Sequence, residues 1–203
     1  MNIYPWLYRL GITPWEEASS YPPAADHINA LFDREQEGRT PPFGRALDLG
    51  CGRGSWSVEL ARRGWTVTGV DLVSRAVRAA RARAREAGFD VDFVRADITR
   101  LRAAGVEPAF RLFWDFGTIH GLTQAQRRTV GREVSALAAD DATILMMAWS
   151  PGRRGPLPRG AGRADLEDAF AGWAITDADP FDATGLPPRL RKVNPHIYRF
   201  RRA

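Results

Sequence analysis

A run of alternating glycines between two aspartates, and one histidine further on, are the residues whose types and spacing suggest chemistry. Asp48, Gly50, Gly52 and Gly54 fall at every second position of Asp48-Leu49-Gly50-Cys51-Gly52-Arg53-Gly54, directly after the apolar run Ala46 to Leu49. Alternating glycines let a chain leaving a strand turn sharply where side chains would collide with a ligand, and the small Cys51 suits the same turn. Asp71 closes the next apolar run, Val67 to Val70, and stands 21 residues beyond Gly50. A carboxylate at that distance is placed to accept hydrogen bonds from two neighbouring sugar hydroxyls. His120 follows the apolar run Phe110 to Phe116 in a loop reading Asp115-Phe116-Gly117-Thr118-Ile119-His120. An imidazole there titrates in the range a general base needs, and its alternative role is to tie the loop together.

The elements that must position these groups read as a βαβ unit. Ser55 is a candidate cap for a helix in which Trp56 and Leu60 lie one turn apart, and Gly64 ends it before the second strand. A dinucleotide turn wants G-x-G-x-x-G, and here Ser55 occupies the third glycine's place. The run D-x-G-x-G-x-G instead resembles the class I, Rossmann-like, S-adenosylmethionine-dependent methyltransferases. The resemblance implies S-adenosylmethionine as cofactor and S-adenosylhomocysteine as product. It implies a cofactor site made by Asp48, Gly50, Cys51, Gly52 and Gly54 at the turn and by Asp71 and Leu72 at the ribose. Asp97 would accept from the adenine amine, with Ile98 packed on the ring, and Asp115 and Phe116 would face the methyl group. It further implies that residues 44 to 202 form a doubly wound, seven-stranded, mostly parallel sheet in the order 3-2-1-4-5-7-6, with one antiparallel strand. Thr13-Pro14-Trp15-Glu16 resembles the Thr-Pro-Trp-Asp element of the thiopurine and thiol methyltransferase group, in which the tryptophan lies near the cofactor; Glu16 stands where that group has aspartate.

The remaining elements follow from pattern. Residues 1 to 43 have a different texture, aromatic and rich in proline, and read as an N-terminal helical cap whose first 21 residues would lie over the cofactor as a lid. Pro22-Pro23 starts a helix with Ile28, Leu31 and Phe32 on one face. Ser74 is a candidate cap for a helix running to Gly88, with Val77, Ala80 and Ala84 as its apolar stripe and Arg75, Arg78, Arg81 and Arg85 largely opposite. Val91 to Val94 reads as a third strand, and Asp97 has a second reading as the cap of a short helix. Thr123 with Gln126 forms a capping-box pattern before a helix bearing Val130, Val134 and Leu137. Asp140-Asp141 reads as a turn, at the wrong end of the sheet for a metal, and no metal site is expected. Ala142 to Trp149 is a strand buried on both faces, and the loop 151 to 163 is basic. Leu166 and Phe170 share a face of a short helix, and Trp173 to Ala178 and His196 to Arg202 form the closing pair of strands.

Composition bounds the function. The chain has 203 residues, enough for one α/β domain, and a formal charge of +5. Lys192 is the one lysine among 29 basic residues, and arginines are interspersed with acids, so nucleic acid is an unlikely partner on composition. A single cysteine forms no internal disulfide, and no apolar run is long enough to cross a bilayer, which together point to a cytoplasmic protein without a membrane partner, as monomer or homodimer. The expected reaction is methyl transfer to O, S or N of a small molecule by in-line displacement, with His120 as base if the nucleophile is a hydroxyl. The rival readings are an RNA methyltransferase and a protein that binds the cofactor without turnover.

Overall fold

The computed structural model describes residues 21–153, 158–184 and 192–203. Seven apolar runs form one sheet: β1 (Arg45–Leu49), β2 (Thr66–Asp71), β3 (Asp92–Arg95), β4 (Phe110–Phe116), β5 (Ala138–Trp149), β6 (Trp173–Pro180) and β7 (Pro195–Arg202). Their order is β3-β2-β1-β4-β5-β7-β6, as the sequence predicts. β1 to β5 are parallel, and β7 runs antiparallel to both of its neighbours. The helices are α1 (Pro22–Gln36), α2 (Ser55–Arg62), α3 (Ser74–Ala87), α4 (Gln124–Leu137) and α5 (Arg163–Ala169).

Helices cover both faces because the parallel strands are apolar on both. On one face, Ala24, Ile28 and Phe32 of α1 and Leu60 of α2 pack with Leu112, Trp114, Leu145 and Met147. On the other, Val130 and Val134 of α4 and Leu166 of α5 pack with Leu49, Phe113, Ile144 and Met146. α3 sits over the β2–β3 edge, where Val77, Ala80 and Ala84 close on Phe93. Of the expected cap, residues 1 to 20, and Trp15 with them, lie outside the described residues. α1 itself is part of the helical layer.

Three local expectations are corrected. Ser55 does not cap α2: Gly54 is the N-cap, at φ 76°, and the Ser55 hydroxyl is buried without a partner. Ser74 does not cap α3, whose N-cap is Val73. Asp140-Asp141 is no turn, because β5 begins at Ala138 and Asp141 pairs with Arg111 of β4. The Thr123–Gln126 capping box forms as expected.

α1 is fixed to the far side of the sheet by a buried ion cluster. Glu35, 4% exposed, accepts from Arg199 Nε at 2.6 Å, Thr143 Oγ1 at 2.8 Å and Arg201 Nη2 at 3.3 Å. Removing one member of a buried pair leaves the other charge uncompensated. Glu35→Ala is therefore expected to destabilise the protein by about 3 kcal/mol, the lower end of the range for such losses, because Asp177 remains 3.8 Å from Arg199. Urea unfolding checks this, and a loss below about 1 kcal/mol would show that the cluster behaves as a solvated one.

Candidate functional site

The strand order reverses between β1 and β4, and the loops leaving their carboxyl ends therefore border a crevice. The glycine turn forms one wall. Gly50, Gly52 and Gly54 all have positive φ, at 74°, 54° and 76°. A Cβ on Gly50 would lie 1.9 Å from Thr118 Oγ1, and one on Gly54 would lie 2.9 Å from both the Ala80 and Phe93 side chains. At these two positions the protein itself supplies a collision that demands glycine.

The turn's own donors are already used. The N–H groups of Gly50 and Cys51 donate to Val70 O at 2.7 and 2.9 Å, Gly54 N–H donates to Cys51 O at 2.9 Å, and Gly52 N–H donates to Asp71 Oδ2 at 3.0 Å. These four N–H groups are therefore taken up by the protein and are not offered to a phosphate. What it presents is an acceptor. Asp71, 9% exposed, takes one backbone N–H on each oxygen, the second from Val73 at 2.7 Å, and so keeps lone pairs on both. Burial pushes its carboxyl above the ordinary range, against the pull of these two bonds. Leu72, beside it, is 42% exposed.

Asp48 lies one strand over, buried, and accepts from Ser57 Oγ at 2.5 Å. Asp97 is exposed at the end of β3, and its Oδ1 accepts from Thr99 N at 2.9 Å and Thr99 Oγ1 at 2.7 Å, which is the capping role. Ile98 is 6% exposed and packs with Leu49, Val70 and Leu101. Phe116 is half-buried among Trp56, Trp114 and Phe181, with ring centroids 5.7 to 5.9 Å away.

The loop after β4 is held from below. Asp115, fully buried, accepts from Thr118 N at 2.6 Å and Ile119 N at 3.0 Å, and Thr118 Oγ1 donates to Leu49 O at 3.1 Å. Its carboxyl is pushed up to about 7, mainly by burial and to a smaller degree by Asp48, against the backbone N–H groups that lower it. His120, 3% exposed, stacks on Trp149 with centroids 4.3 Å apart and accepts the Trp149 N–H on Nδ1 at 3.4 Å.

Sequence reasoning missed three residues. Ser57 and Thr118 carry no pattern of their own, since a hydroxyl in a helix or loop is ordinary. Arg127 did leave a signal, because it lies on the α4 stripe with Val130, Gly131 and Val134 at helical spacing. It is 6% exposed and donates to the carbonyls of Ile119 at 3.1 Å, His120 at 3.3 Å and Gly160 at 2.5 Å. It thereby ties the loop after β4 to the basic loop after β5, of which residues 154–157 lie outside the described residues. Among the described residues, no three His, Cys, Asp or Glu side chains gather as a metal site requires.

Comparison with known proteins meets this geometry at the same residues. Residues 46–141 match the family model described as a methyltransferase domain. The match covers a little under half of the chain. The ubiquinone biosynthesis O-methyltransferase of Caulobacter sp. strain K31 is 41% identical over 80 residues, 39% of this chain and 32% of that protein. A putative methyltransferase of Geobacillus sp. strain WCH70 is 30% identical over 101 residues, half of this chain and 40% of that one. The chain spans about a third of the length of the curated relatives it matches. The fold extends further. The N-methyltransferase NodS of Bradyrhizobium japonicum, solved with S-adenosylhomocysteine, aligns with a TM-score of 0.71 at 17% identity over 96% of this chain and 91% of that one. The 1,6-didemethyltoxoflavin N1-methyltransferase of Burkholderia thailandensis aligns with 0.71 at 21% identity over 98% and 85%.

Asp115 supplies a pH test of how the loop after β4 is held. Its folded carboxyl titrates near 7 and its unfolded one near 3.8, so the folded state holds the proton more tightly. The stabilisation is fully present below about pH 4 and is lost as pH rises toward 7. Asp115→Asn is expected to flatten the fall in urea midpoint between about pH 4 and 7, a window worth up to roughly 4 kcal/mol at 1.36 kcal/mol per pH unit. Equal slopes in wild type and variant would place the titration elsewhere.

Proposed function

We propose that this chain is an S-adenosylmethionine-dependent methyltransferase acting on a small molecule. The observation that carries the reading is Asp71. It is an acceptor with open lone pairs beside a turn whose donors are used, at the reversal of the sheet and inside the segment that matches the family. A ligand bearing hydroxyl and ammonium donors suits this set better than a pyrophosphate does. When bound, S-adenosylmethionine supplies a methyl group activated on a sulfonium, which passes to O, S or N of the acceptor by in-line displacement, leaving S-adenosylhomocysteine.

The chain's own residues hold and orient. Asp71 accepts two ribose hydroxyls, Asp97 offers its second oxygen to the adenine amine, and Asp48 and Asp115 place acceptor oxygens beneath the crevice where an ammonium would lie. Phe116 and Trp56 provide an apolar wall that keeps water from the reacting atoms. Such positioning alone contributes roughly 7 to 11 kcal/mol to methyl transfer. The printed names of the relatives support a small acceptor: one is a ubiquinone biosynthesis O-methyltransferase and another acts on 1,6-didemethyltoxoflavin.

His120 is a positioning residue in this reading, not the base. Its Nδ1 accepts a backbone N–H, which leaves the neutral ring's proton on Nε2, so neither nitrogen presents a lone pair to a substrate hydroxyl. His120→Gln should lower turnover less than about 10-fold and leave the shape of the pH–rate profile unchanged. A loss of about 10²- to 10⁴-fold, with the acid limb of the profile abolished, would restore it as the base.

Titration calorimetry tests the assignment as a whole. S-adenosylmethionine and S-adenosylhomocysteine should bind and NAD should not; heat from NAD with none from either sulfur compound would overturn it. Because Asp71 also anchors Gly52 and Val73, Asp71→Asn is the cleaner variant. It should raise the dissociation constant roughly 5- to 150-fold, the equivalent of about 1 to 3 kcal/mol.

A further inference from the structure

Composition as a whole argues against a nucleic-acid partner, but the charge is distributed unevenly along the chain. The whole sequence carries +5, and α3 alone holds Arg75, Arg78, Arg81, Arg83 and Arg85 against the single acid Glu86. Elsewhere many arginines are paired with carboxylates, among them Arg63 with Glu59, Arg102 with Glu133, Arg111 with Asp141, Arg128 with Asp168 and Arg199 with Glu35, whereas Arg45 and Arg202 rest on backbone carbonyls. Among the described residues, no ion pair includes an arginine of α3, nor Arg95 or Arg100 beyond it.

Spacing makes these arginines a line. Arg75, Arg78, Arg81 and Arg85 recur at three and four residues, which sets them on one ridge of the helix. Arg81 leans to the β3 edge, where its Nη2 donates to Phe93 O at 2.5 Å. The ridge spans about 15 Å at 1.5 Å per residue. Arg95, at the end of β3, and Arg100, in the next turn, extend the positive surface to the end of the sheet where Asp71 lies.

We propose that this ridge docks one strand of a DNA duplex through its phosphodiester backbone. One strand places a phosphate about every 3.4 Å along its axis, so the ridge runs beside four or five of them, and guanidinium forks match phosphate oxygens. Two other anionic partners fit less well. A membrane would need the apolar face of α3, and that face is already closed on Phe93 and Val58. A protein interface would need a buried apolar or aromatic anchor, yet among the described residues the one exposed large apolar side chain is Leu72. The docking is independent of the methyl-transfer reading, and each can fail alone.

Fluorescence anisotropy with a labelled 20-nucleotide RNA, and separately a DNA duplex of the same length, between 50 and 200 mM salt tests it. The logarithm of the binding constant should fall against log salt with a slope of roughly 3 to 5, as four to six phosphate contacts give. The triple variant Arg75→Gln, Arg78→Gln, Arg85→Gln, which leaves Arg81 on its carbonyl, should lose about 2 to 3 of that slope and at least about 10-fold in affinity at 50 mM salt. Its S-adenosylmethionine heat and unfolding midpoint should stay unchanged, while Arg132→Gln on α4 should bind as wild type does. A wild-type slope below about 1, a triple variant that binds as wild type, or equal affinity for polyglutamate or phosphatidylserine vesicles would overturn the proposal. The duplex should bind more tightly than the RNA, and the reverse order would also overturn the proposal.

Discussion

The Thr118 hydroxyl, bonded to the Leu49 carbonyl, stands where a Cβ on Gly50 would have to go. The loop leaving β4 therefore fills the space that the first glycine leaves at the end of β1, and the two walls of the crevice are one packed unit. Asp115 holds that loop from beneath by accepting its backbone N–H groups, and Arg127 holds it from the side through two of its carbonyls. A shift in either wall breaks contacts in the other. The crevice is thus preorganised by interactions that do not involve a ligand, which is what a site whose main contribution is positioning requires.

Three acids, Asp48, Asp71 and Asp115, are buried at this one end of the sheet. Burying a carboxylate is costly unless it is hydrogen-bonded, and each here is offset by local donors: a serine hydroxyl for Asp48, backbone N–H groups for the other two. The offset is incomplete for Asp71 and Asp115, whose carboxyls stay above their ordinary range. The protein therefore carries a standing electrostatic cost that a ligand with donor groups would relieve. Stability is reduced where binding is to occur, a pattern common to functional sites.

Much of this was legible in the sequence, because apolar periodicity and glycine spacing are local signals. The strand order followed from the resemblance of D-x-G-x-G-x-G to a family, and the stripes on α1, α3 and α4 followed from helical spacing. The failures are equally local in cause. Ser55 looked like a cap because serine before an apolar helix usually is one, but the left-handed Gly54 takes that position and turns the hydroxyl inward. The Asp140-Asp141 pair looked like a turn because acids rarely open a buried strand, yet Arg111 on the neighbouring strand gives Asp141 a partner that no single segment reveals. Ser57 and Thr118 were invisible for the same reason: their partners, Asp48 and Leu49, come from other elements, and only the folded chain brings them together.

The place of β7 bears on how such a chain is made. Among the described residues β6 pairs with β7 alone, and β7 is inserted between β5 and β6 although it is the last of the seven described strands to be synthesised. As the polypeptide leaves the ribosome, β6 emerges with its hydrogen-bonding edges unmet, and β5 has one side open until β7 arrives. Folding cannot close by simple vectorial growth from the amino end; it waits for a strand from later in the chain to enter the middle of the sheet. Until then the nascent chain exposes two strand edges open to wrong pairing, and the interval during which a chaperone would matter is set by translation of the stretch between β6 and β7.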